Sequence, residues 1–215
     1  MAAKRILCYG DSNTWGATPG TGARIDENKR WTGVCQRILG EGYRVLEEGL
    51  PGRTSVYEDP CDPVMNGLTA LGYTLCSQKP IDMVVLFLGT NDLKFTNAFG
   101  SASGIDTLLH RILNANVYYP GSCPIFYDAP KVLLIAPPRI LPGIDEAMPG
   151  SRFTGLARES TEFPRLYRQV AERYGVEFLD AAALVELSPV DCLHLNEDGH
   201  AVLGTAVADK IRKMP

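Results

Sequence analysis

The chain has 215 residues, is 45% hydrophobic and 21% charged, and carries a formal net charge of −4. That length points to one domain spanning 1–215, long enough to bury a full core, and the composition excludes a disordered chain. The acidic balance speaks against a nucleic-acid-binding face or a membrane-surface patch. No apolar run nears the roughly 18–20 residues of a transmembrane helix.

The N-terminus carries a basic pair, Lys4-Arg5, but the apolar run after it is too short for a signal peptide. The expected location is therefore cytoplasmic. Cysteines at 8, 35, 61, 76, 123 and 192 form no CxxC pair and read as reduced thiols.

In chain order, residues 5–9 (RILCY) form an apolar run that stops at Gly10 and reads as a buried strand. Residues 31–39 follow with helical spacing of Val34, Ile38 and Leu39, then a weaker strand over 44–47. Residues 81–88 (IDMVVLFL) form a second strong strand, ending at Gly89. A helix is expected over 105–117 and a third strong strand over 131–136 (KVLLIA). Another helix spans 163–174, with Pro164 suited to its first turn. A weak strand at 176–179 and a helix at 201–212 complete the series. Continuous apolar strands imply cover on both faces, and strand–helix alternation implies an α/β fold with a parallel sheet.

Two stretches, 118–130 and 139–154, are long, Pro- and Gly-rich connections. They carry Tyr118, Tyr119, Ile125, Phe126, Tyr127, Ile140, Leu141, Ile144, Met148 and Phe153. Apolar residues on surface loops mark contacts, so a homo-oligomer is expected, with these loops at the mouth of a pocket. The competing reading folds each loop back onto its own subunit.

Ligands of open α/β sheets bind at the carboxyl ends of the strands. The segments there are Gly10-Asp11-Ser12-Asn13, Gly49-Leu50-Pro51-Gly52, Gly89-Thr90-Asn91-Asp92 and, after the last strand, Asp191-Cys192-Leu193-His194. Ser12 on a strand-to-helix turn is a candidate nucleophile that needs a base. His194 has Asp191 three residues before it, a spacing that can fix the imidazole tautomer. His200 is the rival base, and His110 lies inside an expected helix. The Ser12 and Gly52 N–H groups and the Asn91 amide are candidate oxyanion donors. Each element has a plain structural reading too: a helix cap for Asp11 or Ser12, a turn for Asn91-Asp92 and for Gly52, a packed histidine for His194. Four such elements, in usable order, argue for the chemical reading. Asp11, Asn13 and Trp15 flank the nucleophile and are candidates to contact substrate, Trp15 as a wall of the acyl pocket.

These four blocks resemble those of the SGNH hydrolases, also called GDSL esterases and lipases, over nearly the whole chain. Residues 6–12, 30–34, 47–50 with 53–54, and the Asp59-Pro60, Asp62-Pro63 and Asn66-Gly67 pairs are closest to the arylesterase and acyltransferase (perhydrolase) branch. The resemblance implies a flavodoxin-like three-layer α/β/α sandwich with a central parallel sheet. It implies Ser12 as nucleophile, His194 as base, Asp191 as its orienter, and Ser12, Gly52 and Asn91 as oxyanion donors. No metal or organic cofactor is implied, and homo-oligomers are. Asn13 stands where the family name expects leucine, and Pro51 removes one backbone N–H beside Gly52.

The function expected is a serine esterase of small, short-acyl esters working through an acyl-enzyme, with acyl transfer as an extension. The alternative is a carbohydrate O-acetylesterase. A non-catalytic phosphate-binding module is disfavoured because Asp11 puts a carboxylate where phosphate would sit. A metallohydrolase is disfavoured because no paired histidine motif is present.

Overall fold

A computed structural model describes residues 2–214. Five strands, β1 (Lys4–Gly10), β2 (Tyr43–Gly49), β3 (Met83–Phe87), β4 (Lys131–Ala136) and β5 (Glu177–Asp180), form one all-parallel sheet in the order β2-β1-β3-β4-β5. The helices are α1 (Ser12–Trp15), α2 (Trp31–Leu39), α3 (Gly67–Gln78), α4 (Ala98–Leu113), α5 (Ala115–Tyr118), α6 (Ile144–Ala147), α7 (Ala157–Ser160), α8 (Phe163–Tyr174) and α9 (Glu197–Lys213).

Alternate strand residues serve opposite faces. Leu7, Tyr9, Val84, Leu86, Val132 and Leu134 pack with Leu71, Leu75, Ile105, Leu108 and Tyr167 from α3, α4 and α8. On the other face Ile6, Cys8, Val85, Phe87 and Leu133 pack with Trp31 and Cys35 of α2 and Leu203, Val207 and Ile211 of α9. Cover on both faces is why these strands are apolar throughout rather than alternating. The result is the three-layer α/β/α sandwich.

The register positions the site. Gly10, last residue of β1, pairs with Gly49 of β2 on one side and Phe87 of β3 on the other. The connections out of β1 and β3 diverge there, making this the switch point where an open sheet leaves a crevice. Ser12, Gly52 and Asn91 lie two, three and four residues beyond these neighbouring strand ends.

The structure corrects the reading of the two irregular stretches. Ile125, Phe126, Ile140, Ile144 and Phe153 are buried and belong to the same core as α3, α4 and α8. Leu141, Tyr119 and Met148 are half-buried against the core. Of the ten apolar residues there, only Tyr118 and Tyr127 are exposed, at 43% and 74%. The stretches are apolar because they pack against the core of their own subunit, the first directly after the short helix α5 and the second containing α6. The first two turns of α4, rich in Gly and Ser, escape the sequence pattern, and so does α3, although its Leu68, Leu71 and Leu75 stand at helical spacing and face the core. No described helix is long and apolar enough to cross a membrane.

Candidate active site

The chain leaves β1 at Gly10 and turns directly into α1. Asp11 is the N-cap of that helix, its carboxylate accepting the Asn13 N–H at 3.0 Å. The cap makes Ser12 the first helical residue, nearly buried, with Oγ 3.0 Å from His194 Nε2. At the far end of the chain, the turn 191–194 precedes α9. There Asp191 Oδ2 lies 2.8 Å from His194 Nδ1 and also accepts the Gly20 N–H at 2.9 Å. Asp191 Oδ1 accepts the N–H groups of Leu193 and His194 at 3.1 and 3.0 Å. Burial pushes this carboxyl up, but the bonds from the His194 ring and from the His194 and Gly20 N–H groups outweigh it and hold it at about 2. Asp191 is therefore a carboxylate at every working pH, and it favours the His194 tautomer with the proton on Nδ1. Nε2 is then left as an acceptor facing the Ser12 hydroxyl.

Three candidate donors lie just beyond the ends of the adjacent strands β1, β2 and β3. The Ser12 N–H, the Gly52 N–H and the Asn91 side-chain amide bond to no group among the described residues. Gly52 has φ +87°, a left-handed conformation that suits glycine. An activated hydroxyl with unpaired N–H donors beside it is suited to attack on a carbonyl and to holding the resulting oxyanion.

The other candidates sit differently. Asp11 and Asn13, expected as substrate contacts, are only 3% exposed and are hydrogen-bonded within the protein. Asp11 caps α1, and burial pushes its carboxyl up to about 6 against the pull of the Asn13 N–H and the nearby His194, Arg53 and Lys94 charges. Asn13 bonds the backbone of Leu193 and Leu195. Trp15 is half-buried with the Arg24 guanidinium 5.1 Å from its ring centre. His200 is fully buried, accepts the Trp31 N–H on Nδ1 at 3.2 Å and is held down at about 4 by burial, so it makes no contact with Ser12. His110 is exposed on α4.

Two groups that shape the site were not singled out in the sequence. Arg53, 5% exposed, donates from Nη1 to Gly10 O at 2.8 Å and to Glu48 O, and its guanidinium lies 4.2 Å from the Tyr9 ring centre. It ties the turn that carries Gly52 to the ends of β1 and β2. Asp92, fully buried, accepts the Ser55 N–H at 2.6 Å, the Ser55 hydroxyl at 2.7 Å and the Ser101 hydroxyl at 2.8 Å. Ser101 in turn meets Tyr167 Oη at 2.7 Å. Burial pushes the Asp92 carboxyl up to about 6 despite these bonds. The network fixes the Asn91 block to the segment after Gly52. In the sequence both lie within the family-like blocks, Arg53 directly after Gly52 and Asp92 directly after Asn91, with nothing local to mark these roles. No cluster of three or more His, Cys, Asp or Glu suited to a metal ion occurs among the described residues.

Together, the fold and this constellation define a hydrolase with a serine hydroxyl, an imidazole and a carboxylate in hydrogen-bonded series. The GDSL-like lipase/acylhydrolase family model matches residues 8–202, and the chain belongs to that family as a carboxylic-ester hydrolase. It is similar to the solved aryl esterase of M. smegmatis, at 37% identity and a TM-score of 0.89, covering 99% of this chain and 100% of that one. It is equally similar to a carbohydrate acetylesterase from Sinorhizobium meliloti, at 36% identity and a TM-score of 0.89, covering 97% and 98%. A carbohydrate acetylesterase family member from the same organism matches at 30% identity and a TM-score of 0.88, covering 97% of each chain. No curated protein matches the chain.

Proposed function

We propose that this esterase cleaves short-acyl esters through an acyl-enzyme on Ser12. The observation that carries this reading is the unbroken series Ser12 Oγ–His194 Nε2, 3.0 Å, and His194 Nδ1–Asp191 Oδ2, 2.8 Å. Ser12 Oγ attacks the ester carbonyl carbon while its proton passes to His194 Nε2. Asp191 stabilises the imidazolium without taking the proton. The oxyanion is held by the Ser12 and Gly52 N–H groups and the Asn91 amide, each such donor being typically worth about 3–4 kcal/mol of barrier. His194 returns the proton to the departing alkoxide or aryloxide, the ester C–O bond breaks, and Ser12 is left acylated. Water, deprotonated by His194, then releases the acid. An alcohol or peroxide in place of that water gives acyl transfer.

A carbohydrate O-acetylesterase is the second reading, favoured by the likeness to the two Sinorhizobium proteins. The test is kcat/KM over 4-nitrophenyl esters of rising chain length, set beside acetylated sugars. Highest values for acetate to butyrate aryl esters support the first reading, and preference for acetylated sugars supports the second. Preference for octanoate and longer esters overturns both. Adding an alcohol and measuring the transesterified product tests acyl transfer.

We further propose a homo-oligomer. Tyr73 on α3 and Val117 and Tyr118 on α5 are exposed, at 78%, 79% and 43%, with the Arg111 guanidinium 4.0 Å from the Tyr118 ring centre. Large exposed groups of this kind are enriched at interfaces. Light scattering across a dilution series tests it, and a mass near 23.5 kDa throughout contradicts it. A cytoplasmic location fits the six unpaired cysteines.

A further inference from the structure

From Cys192 to His194 every backbone polar group of the turn that presents the imidazole is hydrogen-bonded. The Cys192 N–H donates to Ser188 O at 2.8 Å, and Cys192 O accepts the Leu141 N–H at 3.1 Å. The N–H groups of Leu193 and His194 go to Asp191 Oδ1, and His194 O accepts the Ser188 N–H at 2.8 Å. Two groups remain, one on each side of His194: the carbonyl of Leu193 and the N–H of Leu195. Both go to a single side chain. Asn13 Nδ2 donates to Leu193 O at 3.3 Å, and Asn13 Oδ1 accepts the Leu195 N–H at 2.9 Å.

An amide side chain is the group for this task, since it offers a donor and an acceptor side by side, in the manner of a peptide bond. Asn13 follows Ser12 directly, and its own N–H is fixed by the Asp11 cap. The clamp therefore joins the helix turn that holds the hydroxyl to the turn that holds the imidazole, across 182 positions of sequence. The turn it grips is itself bent sharply, with Cys192 at φ +59°, an uncommon conformation for a residue with a Cβ. A leucine at position 13 fills the space and makes neither bond.

We infer that Asn13 is a positioning residue that sets the register of His194 on Ser12 by bonding the backbone on both sides of the imidazole. This inference rests on the proposed roles of Ser12 and His194. Asn13 touches no substrate, so its loss acts on kcat and leaves substrate binding in place.

The test compares wild type with Asn13→Leu, using 4-nitrophenyl acetate for steady-state kinetics and a fluorophosphonate for the rate of Ser12 labelling. A misplacement of about 1 Å costs on the order of 100-fold in rate, so a 10- to 100-fold fall in kcat is expected. KM stays within threefold, and labelling slows in proportion to kcat. A far-downfield proton resonance from the His194–Asp191 bond, identified by its absence in His194→Ala, should broaden or vanish in Asn13→Leu. A merely structural asparagine would lower the melting temperature and leave that signal and kcat intact. Gly204→Ala, a strained helix contact far from the turn, supplies the control for stability loss alone. Should Asn13→Leu fail to fold, Asn13→Asp is measured the same way; it keeps the acceptor for Leu195 and turns an oxygen toward the Leu193 carbonyl. Wild-type kcat and labelling in the folded variant overturn the inference. No labelling of wild type at Ser12 overturns the nucleophile reading instead, so the two failures are distinct.

Discussion

Replacing Asp191 by asparagine changes one atom and almost no volume, and the structure fixes which way the new amide must turn. Oδ1 accepts two backbone N–H groups, from Leu193 and His194, so the oxygen of asparagine stays there. Its NH2 then replaces Oδ2, facing His194 Nδ1 at 2.8 Å and the Gly20 N–H at 2.9 Å. An NH2 can only donate to Nδ1, which forces the ring proton onto Nε2. That tautomer donates toward Ser12 and cannot accept its proton. The opposite amide orientation sets NH2 against two N–H groups and is worse. The wrong tautomer costs on the order of 10⁴ in kcat in a serine hydrolase, or about 5 kcal/mol of barrier. Asp191→Asn should therefore lose about 10⁴-fold in kcat on 4-nitrophenyl acetate with KM little changed. Because the imidazole meets solvent on one edge, the loss should shrink at high pH, where hydroxide can stand in for the base. A variant within tenfold of wild type at pH 7, folded by circular dichroism, would refute the tautomer argument and the role of Asp191 with it.

His194→Ala should abolish steady-state turnover, whereas His200→Ala should keep kcat and lose stability. The latter orphans the buried Trp31 N–H, at a cost of about 1–3 kcal/mol, read as a lower melting temperature. Asp11 is held at about 6 in the fold against 3.8 unfolded. Its raised value means a stability contribution complete below about pH 4 and lost as pH rises through 6, worth about 3 kcal/mol between those limits. Asp11→Asn keeps the cap acceptor, so relative to wild type it should gain stability from pH 4 to 7 in denaturant titrations. A constant difference across that range contradicts the assignment. Gly204→Ala places a Cβ 2.6 Å from the Trp31 carbonyl where α9 crosses α2, and should cost about 1–3 kcal/mol with kcat unchanged.

Much of the site was legible because its parts are local. Ser12 on a strand-to-helix turn and Asp191 three residues before His194 are patterns within single turns, and the apolar runs over β1, β3 and β4 are hard to read as anything but buried strands. Helices α2 and α8 were legible to the residue because each has one wide apolar face. What was illegible depends on partners distant in sequence. Asn13 looks like a polar neighbour of the nucleophile until its two partners, 180 and 182 positions away, come into contact. Ile125 and Phe153 look like interface residues until the core they pack against exists. The start of α4 hides because Gly104 and Ser101 are small for a reason outside the helix: a Cβ on Gly104 would sit 2.0 Å from Ser55 Oγ, and Ser101 reaches Asp92. Small residues chosen for close approach erase the periodicity by which a helix is read.

On the proposed mechanism Ser12 is the covalent nucleophile. The most direct measurement of this is peptide mass spectrometry of the protein after exposure to a fluorophosphonate, with Ser12→Ala treated in parallel. One adduct per chain is expected, on the peptide containing Gly10-Asp11-Ser12, formed at a rate that collapses in His194→Ala and absent from Ser12→Ala. An adduct on another residue, or equal labelling of Ser12→Ala, would contradict it.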